Sequence, residues 1–272
     1  MPAEPIESLP GSAERSVPMA IAAGAAVGLL GGMIGLGGAE FRLPLLIGLF
    51  GYVALQAVVL NKALSLVVVA TALPARLLGV PYGDVASEWL VIVNVLAGSL
   101  VGAWLGASWA TRMRSATLYR VLAVLLVAIA VVLLATHLGD VRPSGIDGAW
   151  QVVAGVVAGV AIGIVAALMG VAGGELLIPT IVLLYGIDIK IAGSLSLAVS
   201  LPTMLVAFAR YSQDQSFTVL ADNRRVLLAM AAGSVLGTVV GGALLGVVPS
   251  LVLIPLLAAL LVVSSVKVWQ HQ

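Results

Sequence analysis

Hydrophobic residues in this chain come in long blocks separated by short polar or glycine-rich interruptions. They show neither the alternation of a half-buried strand nor the single apolar stripe of a surface helix. Eight blocks, at 18–34, 54–73, 89–110, 118–138, 150–169, 189–209, 226–246 and 251–269, are each about 20 residues long, enough to cross roughly 30 Å of hydrocarbon at 1.5 Å per residue. Two shorter apolar pieces, 43–50 and 178–185, follow glycine clusters and are too short to span alone. They predict half-helices or re-entrant arms, which persist at membrane depth only where protein or a water-filled cavity satisfies their backbone. The pattern therefore predicts an all-α polytopic membrane protein with about eight long transmembrane segments.

Composition sharpens this reading. Of the 272 residues, 61% are apolar and 9% charged, against about 25% charged in an ordinary soluble domain. A formal charge of +1 leaves no basic surface to hold a nucleic-acid backbone, so no nucleic-acid partner is expected. The chain has no cysteine and only two histidines, His137 and His271. Disulfides, thiolate metal sites and a cysteine nucleophile are excluded, and no metal or cofactor is expected. Residues 1–17 carry three prolines, three glutamates and Arg15 and read as a polar tail. They lack the basic start of a signal peptide.

The chain contains an internal repeat. GLGGAEFRLP at 35–44 aligns with GVAGGELLIP at 170–179, an offset of 135. The same offset matches Ala97, Gly98, Ser99, Gly102 and Gly106 to Ala232, Gly233, Ser234, Gly237 and Gly241, while Leu64–Leu66 pairs with Leu195–Leu197 at offset 131. The expected organisation is a first membrane repeat at 18–138, a connecting loop at 139–148 and a second repeat at 149–272. Basic residues alternate between the halves. Arg112, Arg114 and Arg120 flank one loop of the first half and have no equivalents in the second, whereas Arg210, Arg224 and Arg225 flank a different loop of the second half. Because basic loops face the cytoplasm, this predicts inverted topology with both termini cytoplasmic. Inverted repeats with helices broken by glycine and proline are the signature of secondary transporters, which bind substrate at the repeat interface.

Candidate chemistry gathers at the breaks. Gly35, Gly37 and Gly38, with Gly170, Gly173 and Gly174, allow backbone N–H groups to face a ligand, and Pro44 and Pro179 are expected to begin the half-helices that follow. Two helix N-termini meeting across a pseudo-two-fold axis would form an oxyanion cradle. Each break contains one carboxylate, Glu40 and Glu175, a candidate for coupling proton movement to transport; the competing reading makes both simple caps of free backbone N–H groups. Arg42 and Lys62 are the embedded cations, available to contact an oxyanion or to neutralise Glu40. Asn61, Ser65, Thr71, Ser196, Ser200 and Thr203 offer further hydrogen bonds, although hydroxyls in such helices more often bond their own backbone. Ser65 and Ser196 are the repeat-related pair among them. No phosphate-binding loop, dinucleotide fingerprint or nucleophile elbow is present.

The duplicated glycine motif with its proline, the serine at Ser65 and Ser196, and the AGSxxGxxxG stretch in each half resemble the TauE/SafE sulfite exporter family, also called the TSUP (toluene sulfonate uptake permease) group. Ala39 and Ala172 stand where the motif has glycine. The resemblance covers nearly all of 18–269 and implies a multi-pass permease of a bacterial or archaeal cytoplasmic membrane. It would carry sulfur-containing anions such as sulfite, thiosulfate or organosulfonates, without a cofactor. Its motif falls on Gly35, Gly37, Gly38 and Pro44, and on Gly170, Gly173, Gly174 and Pro179. The expected mechanism is alternating access with the anion at the repeat interface and protons as the coupling ion. An uncoupled anion channel is the rival, and a non-transport membrane scaffold or interaction protein is the reading from another class.

Overall fold

The computed structural model describes residues 16–34, 38–77, 82–138, 145–244 and 250–270. Gly35, Gly37, most of the polar tail and most of the connecting loop lie outside the described residues. Everything described is helix or short connection. The helices are α1 (Val17–Ile34), α2 (Ala39–Gly48), α3 (Ala54–Leu77), α4 (Tyr82–Ser87), α5 (Trp89–Arg112), α6 (Ser115–Leu138), α7 (Ala149–Met169), α8 (Gly174–Tyr185), α9 (Ile189–Tyr211), α10 (Val219–Asp222), α11 (Arg224–Ala243) and α12 (Ser250–Gln270); a 3-10 turn at Gln215–Thr218 precedes α10. The polytopic α-helical class follows directly. Among the described residues, α3, α5, α6, α7, α9 and α11 contain apolar stretches long enough to cross a membrane, while those of α1 and α12 are shorter.

Glycine decides which helices touch. A Cβ on Gly98 or Gly102 of α5 would overlap the carbonyl oxygens of Val156 and Val160 on α7, so the two backbones lie against each other. The paired numbers rise together, so α5 and α7 run in the same direction. Gly24 and Gly28 of α1 stand in the same relation to Met230 and Ser234 of α11. Thus the first helix of each half packs on the glycine-striped helix of the other half. Between these pairs, α3 packs against α9, and α6 against α12, where the Ser265 Oγ donates to the Ala123 carbonyl at 2.9 Å.

The short helices turn back. The Gln151 Nε2 donates to the Leu184 carbonyl at 2.8 Å, and the Tyr185 hydroxyl crowds Gly155, so the far end of α8 lies beside the start of α7. In the other half, the Tyr52 hydroxyl donates to the Asn223 Oδ1 at 2.9 Å, which brings the chain just after α2 to the start of α11, level with the start of α1. Each short helix therefore doubles back along the helix before it, α2 on α1 and α8 on α7. The ends of the bundle differ in charge. One end gathers Arg112, Arg114, Arg210, Arg224 and Arg225 with Asp214 and Asp222, its helices joined by bonds from the Arg210 Nε to the Ser108 Oγ at 2.9 Å and from the Ala54 N–H to the Tyr119 hydroxyl at 3.1 Å. Glu88, Asp147 and Asp188, just before α5, α7 and α9, lie at the other with Lys190.

Candidate substrate site at the paired helix breaks

The two half-helices begin in the same way. Gly38 (φ 67°) precedes α2 and Gly173 (φ 86°) precedes α8, both in left-handed backbone. The Gly38 carbonyl accepts from the N–H groups of Phe41 and Arg42, and the Gly173 carbonyl from those of Leu176 and Leu177. The preceding N–H groups of each first turn have no partner within their helix. No non-glycine residue among those described has positive φ, so Ala39 and Ala172 meet no left-handed requirement. The prolines depart from expectation. Pro44 and Pro179 lie inside their helices rather than at the start, because the left-handed glycines already set the helix origin several residues earlier. A proline there lacks the N–H that would bond four residues back, which leaves the Glu40 and Glu175 carbonyls without that helical donor.

Side chains of α3 and α9 close the second break. The Lys62 ammonium donates to the Ala166 and Val171 carbonyls at 2.8 and 2.7 Å. The Ser65 hydroxyl donates to Gly170 at 3.2 Å, the Ser200 hydroxyl to Ala172 at 2.9 Å, and the Tyr211 hydroxyl to Ala167 at 3.0 Å. Gly170 (φ 69°) fits this spot because a Cβ would strike the Val58 carbonyl. Asn61 reaches both breaks. Its Nδ2 donates to the Ala39 carbonyl and to the Met169 carbonyl, each at 3.0 Å.

These contacts sort the expected residues. Glu40, Arg42, Lys62, Ser65, Gly170, Gly173, Gly174 and Glu175 all lie buried at or beside the convergent breaks. Lys62 is committed to helix-end carbonyls, and Ser196 donates to the Gly193 carbonyl of its own helix at 2.9 Å. Neither has an unpartnered polar atom. Arg42 does: it is 0% exposed, its Nη1 makes one long contact of 3.4 Å to the Ser65 Oγ, and its Nε and Nη2 have no hydrogen-bond partner. Beside it, the Glu40 and Glu175 carboxyls approach within hydrogen-bonding reach of each other, with Glu40 Oε2 and both Glu175 oxygens lacking any donor. An unpartnered buried ion costs several kcal/mol, which makes these groups the candidates for contact with a ligand. Tyr211 escapes a sequence reading because it closes an apolar helix, and only the fold turns it inward onto the Ala167 carbonyl.

The family model described as sulfite exporter TauE/SafE matches the chain twice, over residues 4–133 and 132–268. The chain belongs to the TauE/SafE family. It is a multi-pass membrane protein of a permease family, and the expected assignment to anion transport stands at that level. No curated protein and no solved structure matches the chain.

Proposed function

We propose that this protein is a secondary permease for sulfur-containing oxyanions, bound where the two breaks meet. The observation that carries the reading is the fully buried Arg42 guanidinium with its Nε and Nη2 unpartnered. A guanidinium offers planar paired donors that match a sulfite, thiosulfate or sulfonate group, and the first-turn N–H groups of α2 and α8 add donors of the same kind. Lys62 serves the site by holding the second break in shape.

The Glu40 and Glu175 pair is the coupling element. Two carboxylates in mutual reach cannot both stay ionised cheaply, so the pair carries a proton when the anion moves. The alternating packing of α1 on α11 and α7 on α5, together with hairpins that open toward opposite ends, supports two inverted repeats at 18–138 and 149–272. The clustered arginines support a cytoplasmic placement of that end and of both termini in a bacterial or archaeal cytoplasmic membrane. One repeat then rocks against the other around the anion.

The test is flux of labelled sulfite, thiosulfate and organosulfonates into proteoliposomes, with and without an imposed pH gradient. Saturable flux of one anion, stimulated by the gradient, is the expected result. Flux that follows only the anion gradient would replace coupling with a channel, and no flux of any sulfur anion by folded protein would overturn the substrate class.

A further inference from the structure

We infer that Asn61 is a positioning residue that staples the two breaks together and thereby sets the size of anion the site accepts. The inference rests on the permease reading above. Asn61 is 0% exposed, and both hydrogens of its Nδ2 are used, one on the Ala39 carbonyl of the first half and one on the Met169 carbonyl of the second. Because both partners are carbonyls, the amide orientation is settled by its bonds.

Its neighbours do something different. Lys62 joins two carbonyls of the second break, Ser65 bonds Gly170 of that break, and Ser200 bonds Ala172. Among the described side chains that bond the break carbonyls, only Asn61 donates to a carbonyl of each half. Ala192 stands at its repeat-related position, and its side chain has no polar atom to make a matching bridge. One buried amide therefore fixes how far apart the half-helix N-termini of α2 and α8 sit. A staple of this kind keeps the cradle narrow, which favours a small oxyanion over a bulky one.

The residue type fits this task. An amide has two hydrogens about 120° apart on one planar nitrogen, so it can serve two carbonyls at once without carrying charge into the bundle. Serine, with one hydrogen, can serve only one break, and leucine none.

The full-length chain in nanodiscs tests this with Asn61→Ser and Asn61→Leu, and with Ser265→Ala as a control that removes a bond between the halves away from the breaks. Affinities for sulfite and for benzenesulfonate are measured by titration, and amide hydrogen exchange is followed across residues 170–176. The wild type is expected to prefer sulfite. Asn61→Leu should lower that preference about tenfold and speed exchange at 170–176 by a similar factor, Asn61→Ser should fall between, and Ser265→Ala should change neither. An unchanged affinity ratio in folded Asn61 variants overturns the specificity role. Loss of folding in both Asn61 variants, with Ser265→Ala folded, overturns it in favour of a purely structural one. If the wild type binds neither anion, the permease reading fails separately, and unchanged exchange in the Asn61 variants would then overturn the staple itself.

Discussion

The two half-helices start alike and differ in what surrounds them. Both half-helices start from a left-handed glycine, place a glutamate in the first turn and carry a proline within the helix. The first half-helix adds Arg42, where the second has Leu177. In turn α3 sends Asn61, Lys62 and Ser65 to the second break, whereas the related positions of α9 hold Ala192, Gly193 and a Ser196 bonded to its own helix. Duplication thus made two half-helix starts alike in backbone, and divergence of a few side chains made them unlike. Among the described residues, one half supplies the buried cation with unpartnered nitrogens, while the other supplies the carbonyls that Lys62, Ser65 and Ser200 bond.

The sharpest way to break this comparison is to exchange its unequal members. Arg42→Met should lower the transport efficiency for the favoured anion at least 100-fold, about 3 kcal/mol, because the substrate loses its charged donor; Leu177→Met should leave it within about twofold. Equal effects in flux assays would remove the functional asymmetry. For the carboxyls the comparison predicts symmetry instead. Glu40→Gln and Glu175→Gln should each abolish stimulation of flux by a pH gradient, since either change ends proton sharing, and stimulation that survives one of them would assign coupling to a single glutamate.

Stability should follow the carbonyl contacts. Lys62→Met removes a donor from the Val171 carbonyl, at about 1–3 kcal/mol if that acceptor is stranded, while the Ala166 carbonyl keeps the Val171 N–H, so thermal unfolding in detergent should shift down by a few degrees; Gly193→Ala should shift it less. The glycines give the smallest and finest contrast. Alanine at either Gly38 or Gly173 pays about 1–2 kcal/mol for left-handed backbone. At Gly38 the new Cβ also sits 2.5 Å from the Val27 carbonyl oxygen, whereas at Gly173 it meets only the Ala166 and Ile162 side chains at 3.2 and 3.3 Å. Gly38→Ala should therefore be the more destabilising, and a reversed order in melting experiments would contradict the packing at the first tip.

Much of this architecture is written in one dimension. Blocks of about 20 apolar residues dictate membrane helices because a backbone in hydrocarbon must satisfy its own hydrogen bonds, and that requirement is local. The glycine stripes of α5 and α11 are likewise legible as close-packing faces, and the paired motifs with Glu40 and Glu175 announce themselves by recurrence at one offset. What the residues do with their polar ends is a different matter. Lys62 and Arg42 look alike as embedded cations, but one finds two carbonyls 104 and 109 residues away and the other finds no partner for two of its nitrogens. Ser65 and Ser196 occupy the same motif, but only Ser65 crosses to a break. The prolines read as helix starters in the sequence, but left-handed glycines upstream take that role. Asn61 becomes a bridge only because the fold brings Ala39 and Met169 to the same amide. Local periodicity and hydrophobicity determine which segments are helices; the direction of a hydrogen bond depends on which carbonyl another part of the chain delivers, and that only the packed structure decides.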